Sequence, residues 1–151
     1  MVTPETELAF LQEVLLGDKD AIDAVLILGE ASQLMDDIID GDKEFVPTNV
    51  AMTFLRMLTK LCTNPFYLTH VHALTPILYT ATCDYLSATE MEKTDDDHAK
   101  NLAFVLRDNL VSVVIYIAGC IGGDLYGMAM TPKIREFYHD EKLKEYKGGL
   151  L

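Results

Sequence analysis

The stretch that decides the fold is LAFVLRDNLVSVVIYIAGCIGG, residues 102–123. It is apolar for most of its length and ends in the helix-breaking pair Gly122-Gly123. The run VSVVIYI is rich in β-branched residues, which favour strands. It nevertheless continues a helical pattern, and no other segment alternates long enough to supply a partner strand. We therefore predict a central, buried apolar helix over about residues 96–121 of an all-α protein.

Two features of this region argue against a membrane protein. The uninterrupted apolar part, residues 110–123, is 14 residues long, whereas a spanning helix needs about 20. Arg107, Asp108 and Asp124 lie at its borders. The N-terminus, MVTPETE, is acidic, unlike the basic start of a secretory signal. The sequence predicts a cytoplasmic protein that does not contact a membrane.

Capping residues, prolines and glycines predict where the other helices begin and end. Pro76 should kink or split the helix that contains it, and Gly127 should interrupt the chain. The prediction is a single domain, residues 1–151, in which about six helices form a compact bundle around the central one. Helices are expected to begin at Thr3, Asp18, Thr48, Asp95 and Thr131-Pro132, and to end at Gly17, Gly41, Asn64, Gly122 and Tyr146.

Composition narrows the class of partner. The chain has 151 residues and carries 24 acidic against 12 basic side chains, a formal charge of −12. This charge argues against binding to nucleic acid, where phosphates must be neutralised by Lys and Arg, and to anionic membranes. It favours a protein partner or a metal ion, and a homo-oligomer is compatible with it.

The three cysteines are odd in number and form no C-x-x-C motif. This spacing argues against a zinc or redox site built on thiols. Each cysteine stands in an apolar stretch, where a free thiol behaves as a small hydrophobe. We predict buried free thiols at Cys62, Cys83 and Cys120 and a reducing compartment.

The densest acidic run of the first half is ASQLMDDIIDGDKEF, residues 31–45. On a helix, Asp36 and Asp40 share a face and Asp37 lies beside them. Carboxylates placed in this way can ligate Mg²⁺, and a bound diphosphate could complete the coordination shell. The pattern D-D-x-x-D resembles the first metal motif of the isoprenoid diphosphate synthases, which are also all-helical. This resemblance implies that Asp36, Asp37 and Asp40 are metal-binding carboxylates and that Mg²⁺ is the cofactor.

The same aspartates can also be interpreted as the wet side of an amphipathic helix. Ser32 and Gln33 lie on their side, and apolar residues from Ala24 to Ile38 form the other. Acids in the last turn oppose the helix dipole at about 0.3–1 kcal/mol each. They therefore suggest a compensating cation, which could be a metal ion or an arginine.

Arg107-Asp108 interrupts the most apolar helix, and a buried charged pair needs partners. Two interpretations stay open: a structural salt bridge, or a cofactor-binding pair in which Arg107 holds an anion and meets the acids of residues 36–40. No histidine forms a convincing ligand set. We interpret His70, His72 and His98 as isolated, and His139-Asp140 as an incidental dyad in a charged helix.

The order of the segments LMDDIIDGDK, NPFY, LAFVLRD and FYHDEKLKEY resembles a family of short proteins encoded by tailed phages. The resemblance implies no activity, but it implies a location in the host cytoplasm or in the virion. No P-loop, G-x-S-x-G, G-x-G-x-x-G or H-E-x-x-H motif is present. The sequence therefore favours a non-enzymatic interaction or assembly protein. The alternative is a Mg²⁺-dependent enzyme that acts on a phosphorylated or diphosphate small molecule.

Overall fold

The computed structural model describes residues 2–41 and 44–150. These residues form helices and connecting turns, with no strand among them, which confirms the predicted all-α class. The β-branched run that could have been a strand is helical throughout. The elements are α1 (Pro4–Val14), α2 (Lys19–Asp40), α3 (Pro47–Thr59), a 3-10 turn (Leu61–Thr63), α4 (Pro65–Glu92), α5 (Asp97–Leu106), α6 (Val111–Gly122), α7 (Asp124–Tyr138) and α8 (Leu143–Gly149).

The described residues divide into two compact units. The larger unit comprises residues 2–16 and 72–150, and the smaller unit comprises residues 17–41 and 44–71. The division falls within α4, so this helix contributes residues to both units. A single domain over residues 1–151 stays a prediction.

The predicted apolar helix is helical from Asp97 to Gly122 and contains a tight turn at Arg107–Leu110. In this turn the backbone changes to i→i−3 hydrogen bonds, such as that from Asn109 N to Leu106 O at 3.1 Å. Burial is uneven along the segment, because α5 buries only Ala103. The buried residues of α6 are Val111, Val113, Val114, Ile117 and Ala118.

Among the described residues, this segment is also the one helix long and apolar enough to cross a membrane. Its most apolar window has a mean hydropathy of 1.7, and 28% of that window is buried. The core helix of a soluble protein meets the same criterion. The finding is therefore compatible with the predicted soluble protein.

Local capping signals predicted three boundaries correctly. The Thr3 side chain caps α1 by accepting a hydrogen bond from Thr6 N, and the Thr6 side chain accepts one from Thr3 N. Asp18 caps α2 through a 2.9 Å bond from Ala21 N. Gly41 ends α2 in the left-handed conformation, with φ of 66°. Each motif involves residues at most four apart, so its outcome does not depend on tertiary structure.

The predicted helix end at Gly122 is also confirmed, whereas several other boundaries were wrong by one residue or more. α3 begins at Pro47 rather than after a Thr48 cap, because proline is well suited to the first helical position. Asp96, not Asp95, caps α5 by accepting a bond from His98 N. Pro76 does not split α4, which is one helix from Pro65 to Glu92.

The prediction that Gly127 and Thr131-Pro132 divide the chain was also wrong. Both lie inside α7, which runs unbroken to Tyr138. Gly127 is buried against α6: a Cβ at this position would lie 2.8 Å from the Cα of Gly119. The glycine therefore permits close approach of two helices instead of ending one. The final helical segment is interrupted at residues 139–142, before α8.

Aromatic and tyrosine contacts join α1 to α7 in the larger unit. The rings of Phe10 and Phe137 stack with centroids 3.9 Å apart. Tyr126 donates a hydrogen bond of 3.0 Å to the carbonyl of Val14, and Tyr138 donates one of 2.9 Å to Glu7. Burial and then the Glu7 carboxylate raise the pKa of Tyr138. The first helix is thus attached to the second half of the chain.

The prediction of buried thiols was wrong, because Cys62, Cys83 and Cys120 are all exposed. Apolar neighbours in sequence do not determine which side of a helix is covered. For Cys62, the neighbouring Leu61 takes the buried position in the 3-10 turn.

Candidate functional site

Asp36, Asp37 and Asp40 of the acidic run lie in the last turns of α2, in the smaller unit; residues 42 and 43 of the run lie outside the described residues. Gln33 donates hydrogen bonds from its side-chain amide to Asp36 at 3.4 Å and to Asp37 at 3.0 Å. Asp36 and Asp37 are half-buried and Asp40 is exposed. The aspartates therefore share a polar side of the helix with Gln33, as an amphipathic helix would place them.

The apolar side of α2 is covered over only half of its length. Ala24 and Leu28 are buried as expected, whereas Ile38 is 50% exposed. The acidic run thus belongs to the part of α2 that contributes no buried residue. In the described part of the chain, no group of three or more His, Cys, Asp or Glu side chains could hold a metal ion. Metal binding by Asp36, Asp37 and Asp40 stays a prediction.

We expect titration of Mg²⁺ into the protein to give no saturable heat. The physical reason is that Mg²⁺ gives up its waters reluctantly, so a few surface carboxylates hold it weakly without a phosphate co-ligand. The described residues gather no group of three or more ligand side chains. The measurement is isothermal calorimetry on the wild type and on an Asp36→Asn/Asp40→Asn variant. A saturable heat that the variant loses would instead establish a metal site and point to phosphorylated substrates.

Arg107 is held by a partly buried polar cluster in the larger unit. Its guanidinium lies 3.4 Å from a carboxylate oxygen of Glu92, at the end of α4, and 5.4 Å from the ring centroid of Tyr146. Tyr146 donates a 2.5 Å hydrogen bond to the same oxygen of Glu92. We call Glu92, Arg107 and Tyr146 the α8 clasp, because Tyr146 is the buried residue of α8.

The α8 clasp has low exposure to solvent. The side chains of Arg107 and Glu92 are 26% and 18% exposed, and Tyr146 is 3% exposed. Burial, followed by the Glu92 carboxylate, raises the pKa of the Tyr146 hydroxyl. This hydroxyl therefore remains protonated and donates its hydrogen bond across the physiological range. The contacts are those of a structural salt bridge, one of the two interpretations of Arg107 made above.

A second ion pair, at the surface, joins α8 to α5. Lys147 of α8 donates a 2.5 Å hydrogen bond to Asp97 at the start of α5. The bond from Lys147 lowers the pKa of the Asp97 carboxyl. Asp97 also lies in the first turn of its helix, where an acid is favoured by the dipole.

Asp108 lies beside His139, with 3.1 Å between the carboxylate and Nδ1 of the imidazole. His139 is thus paired with Asp108, and the neighbouring Asp140 accepts a bond from Val2 N. His70 stacks on Phe66 within α4. The described side-chain contacts of the histidines are those of His70 with Phe66 and of His139 with Asp108, and the Asp108 partner was not anticipated.

The predicted site residues are distributed over both units. Asp36, Asp37 and Asp40 belong to the smaller unit, and Arg107 and Asp108 to the larger one. The binding of a cofactor by Arg107 and Asp108 stays a prediction. The described contacts of these two residues are with Glu92, Tyr146 and His139.

The orientation of α3 was not predicted from the sequence. Thr53 is buried and donates a 2.9 Å hydrogen bond to Glu30 of α2. Arg56, on the same side, donates to the same carboxylate oxygen. The least exposed side of α3 thus holds Thr53, bonded to Glu30, between the half-buried Val50 and Met57.

The opposite side of α3 is apolar and exposed. Leu58 is 71% exposed, Phe54 57% and Leu55 49%. The spacing of four and three residues places Ala51, Leu55 and Leu58 on one stripe, roughly opposite Thr53, with Phe54 at its edge. We call these four residues the outer side of α3. α3 therefore has an exposed apolar side opposite its least exposed side, which is formed by Val50, Thr53 and Met57.

A signal for this arrangement exists in the sequence. Thr53, Arg56 and Lys60 recur at spacings of three and four, which forms a narrow polar stripe on a helix otherwise rich in Leu, Met and Phe. A narrow polar stripe with a broad apolar remainder is typical of a helix with apolar contacts on several sides.

No family model, curated protein or solved structure matches this chain.

Proposed function

We propose that this protein is an acidic helical interaction or assembly protein that binds a protein partner through the outer side of α3. The observation that carries the proposal is the exposure of Phe54, Leu55 and Leu58 on a helix whose polar side is already occupied by Glu30. Apolar side chains gain about 1.5–3 kcal/mol each when removed from water. A contiguous exposed group of them is therefore a typical binding surface.

The charge of this region agrees with such a role. Charged residues are depleted at the centre of protein interfaces, where aromatic residues, Met and Arg are enriched. The outer side of α3 contains no charged residue, and Arg56 and Lys60 stand on other sides of the same helix. The acidic surface elsewhere keeps the protein soluble. Its resemblance to short tailed-phage proteins favours a role in the host cytoplasm or in the virion.

The test is replacement of two exposed leucines by glutamine, Leu55→Gln/Leu58→Gln. Glutamine is a good helix former, and the positions are exposed, so we expect the free energy of unfolding to change by about 0.5 kcal/mol or less. We expect the variant to lose the partners that the immobilised wild-type protein captures from cells of its source. Circular dichroism melting and quantitative mass spectrometry measure the two quantities.

The matched control is Leu125→Gln. Leu125 lies on α7, is 83% exposed and undergoes the same chemical change. We expect this control to retain the captured partners. If the double variant and the control capture the same proteins in the same amounts as the wild type, the outer side of α3 is not the binding surface.

A further inference from the structure

Few described residues of the α2–α3 hairpin are fully buried over much of its length. Among the described residues from 29 to 60, Thr53 is the one buried residue. Thr53 and Arg56 of α3 both donate to Glu30 of α2, and the apolar residues on the same side of α3, Val50 and Met57, are only half-buried. Helices shorter than about 12–15 residues are marginal in water unless an apolar face is packed. α3, with 13 residues, thus depends on a further layer.

From this we propose that the layer is a second copy of this chain, which packs the outer side of its own α3 against the first in a two-fold symmetric dimer. This inference rests on the proposed function, because it names the partner of the same surface. In a two-fold interface the same patch is used on both subunits. An apolar surface can pack against an identical apolar surface, so two copies can bind each other through the outer side of α3 alone.

Charge along the chain supports this choice. Residues 45–83 contain no Asp or Glu. The two strongly basic residues in this segment are Arg56 and Lys60, so the remaining chain carries 24 acids against 10 bases, a formal charge of −14. Two molecules of this net charge repel each other least where they approach through an acid-free segment. α3 lies wholly within it.

The charges of the chain also argue against binding of α3 to an anionic membrane. Each Lys or Arg near an anionic bilayer contributes about 1 kcal/mol, and α3 offers two such residues, one of which is paired with Glu30. The acidic remainder of the chain would be repelled. A bilayer of anionic lipid is thus a poorer partner for α3 than a second copy.

The available area is sufficient for a dimer. Within the acid-free segment, six large apolar residues from Phe45 to Leu58 are 39–71% exposed. At about half exposure they offer on the order of 500 Å² of apolar surface. A standard interface buries about 800 Å² per partner, of which somewhat more than half is apolar.

The experiment is sedimentation equilibrium of the full chain at concentrations from roughly 1 to 100 μM, the range in which moderate affinities are resolved. We expect the wild type and Leu125→Gln to be dimeric, and Leu55→Gln/Leu58→Gln to dissociate roughly 100-fold more readily. We also expect added NaCl to strengthen the dimer, because salt screens the repulsion of the acidic remainder. Circular dichroism shows whether each variant is folded.

Three outcomes would overturn the inference. A monomeric wild type that still loses captured partners through Leu55→Gln/Leu58→Gln would reject the dimer but leave the proposed function standing. A monomeric wild type that floats with vesicles of phosphatidylcholine and phosphatidylserine would identify a membrane instead. A dimer unaffected by the double variant would place self-association elsewhere. If captured partners are also unaffected, the proposed function fails as well.

Discussion

Gly127→Ala should lower the free energy of unfolding by about 2–3 kcal/mol. The new Cβ would lie 2.8 Å from Cα and 3.1 Å from N of Gly119, which are backbone atoms of α6. Backbone in the middle of a helix cannot move aside as the end of a flexible side chain can. The two helices must separate, and the contacts of α6 with α7 are weakened along their length. Urea unfolding followed by circular dichroism measures the loss.

Gly119→Ala is the matched control for this experiment. It lies at the same helix contact, but a Cβ built on Gly119 meets no atom within 4 Å. Alanine is preferred to glycine in a helix by about 0.5–1 kcal/mol, so we expect this variant to be as stable as the wild type or more stable. If both alanine variants behave alike, the helices do not approach as closely as the structure shows.

The second large effect is expected from Glu92→Ala, which removes the acceptor shared by the α8 clasp. Arg107 loses the Glu92 carboxylate and the Tyr146 hydroxyl loses its acceptor on Glu92, in a site where neither is well hydrated. Leaving partly buried polar groups unsatisfied costs about 2 kcal/mol after allowance for their residual exposure. We expect chemical denaturation to show this loss and protease to cleave around α8 sooner.

Glu90→Ala provides the comparison within the same helix. Glu90 pairs with Lys93, but its side chain is 74% exposed. Such surface pairs contribute about 0–1 kcal/mol. The pKa of Tyr146 offers an independent readout, because the Glu92 carboxylate raises it. Spectroscopic titration should show that pKa falling in Glu92→Ala and staying unchanged in Glu90→Ala. Equal stability of the two variants would contradict a structural role for the clasp.

The features predicted correctly from sequence are those that depend on neighbours along the chain. Thr3, Asp18 and Gly41 satisfy backbone groups a few residues away, so their effect is independent of the rest of the molecule. The helical class follows in the same way from periodicity over a long apolar segment. The β-branched residues of α6 did not override this pattern, because helix propensities differ by less than about 1 kcal/mol per residue.

The errors concern contacts between distant parts of the sequence. The sequence around Gly127 predicts the end of a helix, yet the residue lies within α7. A glycine is needed there because Gly119 of another helix occupies the space that a side chain would fill. The partner of Arg107 could not be deduced either. Many acids were available, and the choice of Glu92 depends on how α4 and α5 meet.

The outer side of α3 shows the same difficulty for the candidate site. Sequence periodicity identifies an apolar side, but it does not say whether that side is covered within the chain. The contact of Thr53 with Glu30 decides this. The acidic run, by contrast, was predicted as a site from its composition alone. Among the described residues, no group of three or more ligand side chains forms there.

The acid-free segment has a consequence for peptide mapping. A protease that cleaves after acidic residues can cut at Glu44 and at Asp84, but it has no site between them. Digestion should therefore release α3 intact, together with the 3-10 turn and α4 as far as Asp84, in one fragment. Any cross-link formed through α3 would be recovered on that single peptide, which also carries Cys62 and Cys83 as exposed attachment points.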